Sequence, residues 1–446
     1  MIVRVFGFVV AFFVCADAAN AQTSVQSFAP TLAELLQNIY GPHGLVVDSE
    51  AVLPDGSTHS AHFNGAFQAE FEQINLAFVR QIGALPIPSP ASGFTYTFDT
   101  SSGTFRRTTQ SFGPILADRA ETIGRGRFAF GYSLQQFSFQ TFDGLRLSHI
   151  PGVFTHDDFQ LGGGRADFIT TQNAISASVS QQVVWLTYGA ASRLDVSAAV
   201  PLVHTSLSIV SDATIHRVGT TDNPAIHFFR DPDAPGGYGN ERRFLADGSA
   251  TGVGDIVLRA KDTAIKTTGG GLAIGLEARL PSGDAQNLLG SGSFGIKPFL
   301  ATSMILGHVA PHVNVGYQWN TDTILAGDVA ANTKGNLPDE LSYAVGADVG
   351  VERRFSLAFD VLGRRSPDTP RLVSSTFVSQ GTPSAPSEAV PDIAFTNGTL
   401  NVVNGSVGMK LNVAGTLLVT ANVMFPLNDS GVRTRITPLI GFEFGF

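Results

Sequence analysis

The densest chemistry in this chain is a set of five charged residues on two neighbouring alternating segments. Asp255, Arg259 and Lys261 lie on one, Glu277 and Arg279 on the next. Opposite charges at cross-strand spacing pair, and pairing offsets the cost of holding charge in a poorly hydrated interior. Two readings stay open. The five could form a selectivity network or one that docks an N-terminal hatch, or they could be the structural packing of a polar lumen. No Ser/His/Asp arrangement emerges, because a triad is a geometry and scattered residues do not define one. No catalytic residue is therefore assigned. His156-Asp157-Asp158 and Asp231-Pro232-Asp233 offer oxygen atoms but lack the spacing of a cation loop, so no metal site is expected. The glycines between 269 and 275 open a strand, whereas a dinucleotide fingerprint opens a helix, so no cofactor is expected.

The elements that must position these charges show a period of two. Ile440, Phe442, Phe444 and Phe446 alternate with Gly441, Glu443 and Gly445. Such alternation is a strand with one apolar face. Leu417 to Leu427, Phe355 to Val361, Leu341 to Val349 and Leu272 to Leu280 repeat it, and the face from Val309 ends in Tyr317 and Trp319. The opposite faces carry small and polar residues. Fourteen strands are expected, at 67–80, 94–109, 126–141, 168–187, 193–213, 251–266, 269–281, 294–306, 308–320, 340–350, 353–364, 397–412, 415–427 and 433–446. The second could instead be a small hairpin. Short connections such as Leu306-Gly307-His308 alternate with long ones near 365–396, 321–339, 282–293, 214–250 and 142–167. A sandwich gives no reason for that asymmetry, but a membrane barrel with unlike rims does. The connection 110–125 breaks the rule, being long on the short-turn side. In 126–141 the apolar phase changes at Gln135-Gln136, from even positions to Phe137 and Phe139, which suggests a β-bulge.

Composition agrees with an all-β transmembrane barrel. Gly is 48 of 446 residues, Phe is 34, and charged residues are 15%, too few for the solvated surface of a soluble helical enzyme. The net charge of −9 gives no general attraction to nucleic acid, so that partner is excluded. Arg4, the apolar run 5–14 and Ala19-Asn20-Ala21 read as a signal peptide over 1–21. Cys15, the one cysteine, falls within it, so no disulfide or thiolate metal site is expected in the mature chain. Residues 22–64 precede the expected barrel, 65–446. Thr31 and Glu34 match a capping box for a short helix presenting Leu32, Leu35, Leu36 and Ile39 on one face, with Gly41-Pro42 as its stop.

The stretch Thr251-Gly252-Val253-Gly254-Asp255-Ile256 is followed by Glu277-Ala278-Arg279-Leu280-Pro281-Ser282-Gly283-Asp284, then Asn287-Leu288-Leu289-Gly290 and Lys297-Pro298-Phe299. Together they resemble the phenol-degradation MetA-pathway family, grouped with the long-chain fatty-acid and aromatic-hydrocarbon channels of the Gram-negative outer membrane. The resemblance implies a monomeric barrel of about 14 strands with an N-terminal plug, passing hydrophobic molecules. By that analogy Leu32, Leu35, Leu36 and Ile39 would form the hatch, and Gln135-Gln136 would mark a lateral gate. The terminal Phe446 resembles the signal read by the barrel assembly machinery. Expected partners are a hydrophobic solute and the lipid and lipopolysaccharide of the outer membrane. The Asn-Pro-Ala element of the fatty-acid channels is absent from the hatch. The alternatives are an outer-membrane barrel enzyme of the lipase or protease type, which needs a nucleophile and base on its rim, and a water-filled porin, which needs no hatch.

Overall fold

The computed structural model describes residues 31–41, 44–52, 56, 63, 66–89, 96–99, 104–107, 110–155, 166–327, 333–383 and 385–446. The expected leader 1–21 and His156-Asp157-Asp158 lie outside them. Twelve antiparallel strands close a ring. They are β1 (Phe128–Phe142), β2 (Phe168–Gly189), β3 (Leu194–His216), β4 (Val257–Thr267), β5 (Gly270–Arg279), β6 (Gly295–Met304), β7 (Val309–Asn320), β8 (Glu340–Glu352), β9 (Phe355–Val378), β10 (Ala389–Ala414), β11 (Leu417–Pro426) and β12 (Thr437–Gly445). Each pairs with the next in sequence, and β12 returns to β1 with Ile440 opposite Leu134. Closure removes the unpaired edges that lipid would not tolerate. The segment Glu241–Val253 continues the line of β4 along β3, with Val253 opposite Leu202 and Val257 opposite Ala199.

Two of the fourteen expected strands are not in the ring. Residues 67–80 fall in a helix, α2 (Ala66–Gly83). Its buried Phe71, Ile74, Phe78 and Ile82 are spaced by three and four, which is a helical period. The stretch 94–109 is a separate hairpin, Tyr96–Asp99 with Thr104–Arg107. The wall therefore begins at Phe128, not near residue 65. The long connection expected at 365–396 is mostly strand, since β9 runs to Val378 and β10 starts at Ala389. There Leu372, Ile393 and Phe395 join the apolar cluster, but they stand singly among Pro, Ser, Thr and Asp, which leaves no sustained hydrophobic period to read.

The inner turns are tight where expected. Gly307 takes φ 66° in the turn between β6 and β7, a left-handed conformation that glycine adopts without steric cost. Along the ring the outward face carries exposed Ile274, Leu300, Val313, Val345, Phe359 and Ile440. That belt is a lipid-facing surface, and in water it would be an aggregation liability.

The belt ends along one row of paired residues. Leu134, Gln182 and Leu202 are opposite one another on β1, β2 and β3. The next outward row toward the inner rim is Tyr132, Val184 and Val200. The next row toward the outer rim is Gln136, Ser180 and His204, followed by Ser138, Ser178 and Ser206. Above the boundary the inward residues become apolar, among them Phe137, Phe139, Val179, Val203, Leu207 and Ile209. The barrel thus continues past the lipid as a crown whose greasy side faces inward.

This row corrects the bulge expected at Gln135-Gln136. The register against β2 runs unbroken from Phe128 to Phe139, and odd-numbered residues face inward over that length, with Gln135 buried and Gln136 exposed; the phase changes only beyond it, at Gln140, between the pairs Phe139–Thr434 and Thr141–Arg433. The strand keeps its phase while its surroundings exchange sides. An interruption does exist beside it, on the neighbouring chain segment. Gln135 pairs with Leu439, but the next pair is Phe139 with Thr434.

Candidate functional site

The crown encloses α1 (Leu32–Gln37) and α2. Leu32, Leu35, Leu36 and Ile39 are all buried in one apolar cluster with Phe71, Ile74 and Phe137. Burying each such side chain is worth roughly 1.5–3 kcal/mol. Gly248 lets the helix approach the wall: a Cβ there would lie 2.8 Å from Leu32 and 3.0 Å from Leu35. Tyr40 donates to Asn173 Oδ1 at 3.1 Å and lies 2.9 Å from Ser211 Oγ. Burial pushes its hydroxyl up to about 12 against the opposing effect of the Ser211 contact.

The predicted capping box does not form. Thr31 is extended and makes no side-chain cap bond. The first-turn amides are satisfied by the loop between β5 and β6, with Ala33 N donating to Gln286 O at 2.9 Å and Leu32 N to Asn287 Oδ1 at 3.4 Å. A partner some 250 residues away carries no local sequence signal.

Below the crown the lumen holds an extended strap, residues 110–127, which the sequence showed only as an over-long inner connection. With no ladder of its own, its backbone must be satisfied by side chains. Asp118 N donates to Asn314 Oδ1 at 2.7 Å, Ala120 N to Ser303 Oγ at 3.1 Å and Ile123 N to Asp195 Oδ2 at 3.0 Å. Lys261 Nζ donates to Arg119 O and Glu121 O at 3.0 and 2.9 Å. Lys410 Nζ reaches Phe112 O and Pro114 O at 3.2 and 2.8 Å. Arg119 pairs with Asp348 at 3.4 Å, both buried, and His312 joins Asp348 to Asp360, 2.6 Å from the latter.

The five predicted charges all face this lumen but mostly find partners outside their own set. Arg259 pairs with Asp118 of the strap and stacks 4.1 Å from the Phe299 ring centroid. Glu277 meets Lys297 at 2.6 Å. Lys261 binds strap carbonyls. Only Asp255 and Arg279 approach each other, at 3.7 Å. Beside them Arg364 pairs with Glu340 at 3.2 Å. Between the strap, the end of α2 and strands β4–β9 lies a cavity of about 250 Å³. Arg259 and Lys261 both hold the strap, which lies outside residues 22–64 of the expected hatch. Sequence reasoning missed Asp118, Lys297, Asp348 and Lys410, whose partners come together only on ring closure.

Among the described residues the outer crown contains two arrangements with catalytic residue types: in one, Thr170 Oγ1 lies 2.9 Å from His216 Nε2 and His216 Nδ1 lies 3.2 Å from Glu388 Oε2; the other joins His227 and Asp167. His227 Nδ1 is 2.7 Å from Asp167 Oδ2, and both are fully buried. Thr220 donates to that same carboxylate at 2.5 Å, and Gly219 N donates to its other oxygen at 2.6 Å. The hydroxyl is directed at the acid and not at the imidazole, so the group is a loop clasp without an activated nucleophile. Among the described residues no group of His, Cys, Asp and Glu could hold a metal ion.

Three solved structures are similar in fold. An outer membrane channel from Pseudomonas putida F1 is 13% identical, covering 72% of this chain and 96% of its own, at a TM-score of 0.43. A FadL homologue of Pseudomonas aeruginosa is 10% identical, covering 80% and 96%, at 0.31. The toluene transporter TbuX of Ralstonia pickettii is 12% identical, covering 72% and 90%, at 0.28. No curated protein matches the chain. Residues 159–360 match the family "Putative MetA-pathway of phenol degradation", so that stretch carries the family signature that Thr251–Ile256 and Glu277–Asp284 suggested.

Proposed function

We propose that this chain is a passive channel of the Gram-negative outer membrane for hydrophobic small molecules, with aromatic hydrocarbons or fatty acids as its solutes. The observation that carries the reading is the inversion of the barrel at the row Leu134, Gln182 and Leu202. An apolar interior outside the lipid level offers a greasy solute a place to leave water. With no nucleotide motif in the sequence, movement runs down a gradient. The helix α1 with Leu32, Leu35, Leu36 and Ile39 is the hatch in this reading.

A solute held in the crown then leaves through the wall. The best exit is the interruption beside Gln135 and Gln136, where residues 136–138 of β1 lack a paired strand on the β12 side. Pro438, which has no N–H to give, stands at that edge. The exit retains the predicted position but belongs to the partner segment.

The test is accumulation of toluene and palmitate in cells lacking the gene, carrying it, or carrying S138C/I436C. Wild type restores accumulation. The cysteine pair abolishes it until reductant is added. Equal accumulation with and without the gene sinks the channel reading. Full uptake by a demonstrably cross-linked pair sinks the exit alone.

A further inference from the structure

We infer that Thr170, His216 and Glu388 form a hydrolytic site on the outward face of the crown, cleaving small esters that carry an aryl or short alkyl group. The site is separate from solute passage, and neither reading needs the other.

The three side chains stand in the order that activates a hydroxyl. Thr170 Oγ1 lies 2.9 Å from His216 Nε2, and His216 Nδ1 lies 3.2 Å from Glu388 Oε2. A carboxylate that accepts the Nδ1 proton fixes the tautomer in which Nε2 accepts from the hydroxyl. Two other contacts of a hydroxyl with an imidazole show what is added here. Ser148 Oγ is 2.7 Å from His149 Nδ1, and Thr251 Oγ1 is 2.7 Å from His204 Nδ1. In neither does a carboxylate among the described residues hold the second ring nitrogen.

Three elements build the geometry. Phe168 on β2 is opposite His216 on β3, and Thr170 is opposite Thr214, so Thr170 and His216 are diagonal neighbours on one face. The Phe168 ring lies nearly parallel to the imidazole, 4.4 Å between centroids, and holds its plane. Glu388 stands between β9 and β10, where its N–H donates to Ser379 Oγ and its carbonyl accepts from Ser379 N, both at 2.8 Å. The imidazole and the carboxylate are 26% and 49% exposed, so the site is open to a substrate. Thr170 lies well outside the boundary residue Gln182 on β2, so that substrate comes from water and not from the bilayer.

The chemistry is acyl transfer to water. Thr170 Oγ1 attacks the ester carbonyl while its proton passes to His216 Nε2. The C–O bond breaks, and the leaving alcohol takes that proton. Water then attacks the acyl-threonine, gives a proton to His216, and releases the acid as the proton returns to Thr170. The ladder occupies the backbone amides of β2, so side chains must serve the oxyanion. Thr214 across the sheet and Gln172 along the strand share the face of Thr170, and neither hydrogen-bonds another described residue. The apolar group of the ester has Phe377 and Val390, partly buried residues of the cluster that contains Phe168, to lie against.

The full chain in detergent micelles tests this with p-nitrophenyl butyrate as substrate and a fluorophosphonate as covalent trap. Wild type should hydrolyse the ester, and mass spectrometry should find the phosphonyl group on Thr170, fluoride having left. T170V and H216Q should each lose about a hundredfold or more in kcat/KM, as expected for loss of a nucleophile or its base. T170S should keep the activity. H204Q should match wild type. E388Q should lower kcat and leave KM unchanged, the mark of a positioning residue. Heat-modifiable migration on gels verifies that each variant is folded, and H216N replaces H216Q if that chain fails. No hydrolysis by wild type, hydrolysis that survives in T170V or H216Q, an equal loss in H204Q, or a label elsewhere than Thr170 overturns the proposal. None of these outcomes touches toluene accumulation in cells, so the channel reading can survive the loss of this site.

Discussion

The lipid-level barrel and the crown are built on the same strands with the same alternation, yet their chemistry is reversed. On β3, Val196 and Leu202 face outward at lipid level while the buried Asp195 faces inward; further out, Ser206 faces outward and Leu207 inward. The backbone is indifferent to this exchange because each strand offers two equivalent faces. What differs is the solvent. Hydrocarbon outside demands apolar side chains there and leaves polar ones to the lumen. Water outside demands the opposite. The level at which a strand crosses from lipid to water is thus written in its side chains alone.

The largest expected effect concerns the charged half of this contrast. Removing Asp348 takes away the buried carboxylate that faces Arg119 and His312. Breaking a buried pair from one side costs about 3–5 kcal/mol. D348A should lower the unfolding free energy, read from urea titration, by that much and loosen the strap, raising ion conductance in planar bilayers. An unchanged midpoint would mean that the lumen charges are hydrated and contribute little.

The next test addresses the boundary itself. Arg in place of Leu300, on the lipid face of β6, should cost about 2–4 kcal/mol, and Arg in place of Ser206, outward on the crown, about 0–1. Refolding into lipid vesicles measures both. Similar costs at the two positions would erase the distinction between barrel and crown.

The all-β class, the tight inner turns and the lipid face from Val309 to Trp319 were legible because a period of two at lipid level is also a hydrophobic period. Reading failed where that coupling fails. Gln135-Gln136 looked like a bulge because a change of environment and a slip of register leave the same trace in a sequence. Phe71 and Ile74 were placed on a strand although their spacing with Phe78 and Ile82 is helical. For the site, the sequence placed Asp255, Arg259, Lys261, Glu277 and Arg279 in the lumen, since inward faces follow from alternation. Their partners did not follow. Asp118 sits on a strap without periodicity, and Lys297 meets Glu277 through a register that only the folded sheet defines. The strap did leave one sign, the over-long connection at 110–125.

A smaller effect isolates the crown by pH. Burial pushes the Asp167 carboxyl up, but hydrogen bonds from His227, Thr220 and Gly219 outweigh it and hold the group below its ordinary value. A depressed carboxyl stabilises the fold fully above the ordinary pKa of about 3.9 and loses that contribution as pH falls through the folded value. D167N should therefore be about 1–3 kcal/mol less stable than wild type at neutral pH. The difference should shrink toward acid, and amide exchange should quicken around 218–228 without change in β5–β8. A gap that stays constant with pH would assign the loss to shape and not to charge.

The smallest effect belongs to the crown's outer surface. Arg243 donates to both oxygens of Asp212, at 2.6 and 3.0 Å, yet the side chains are 64% and 48% exposed. Water and salt compete for each group, and ordering two long side chains opposes the attraction. R243A should leave the unfolding midpoint within experimental scatter at 0.15 M salt, near a Debye length of about 8 Å. At low ionic strength a small loss should appear. Arg259 offers the counter-test, because its pair with Asp118 is only 12% and 13% exposed. R259A should lower stability at both salt concentrations. If the two substitutions respond alike to salt, the lumen is as wet as the surface, and the barrel's interior cannot be the dry, strapped core from which its contrast with the crown is drawn.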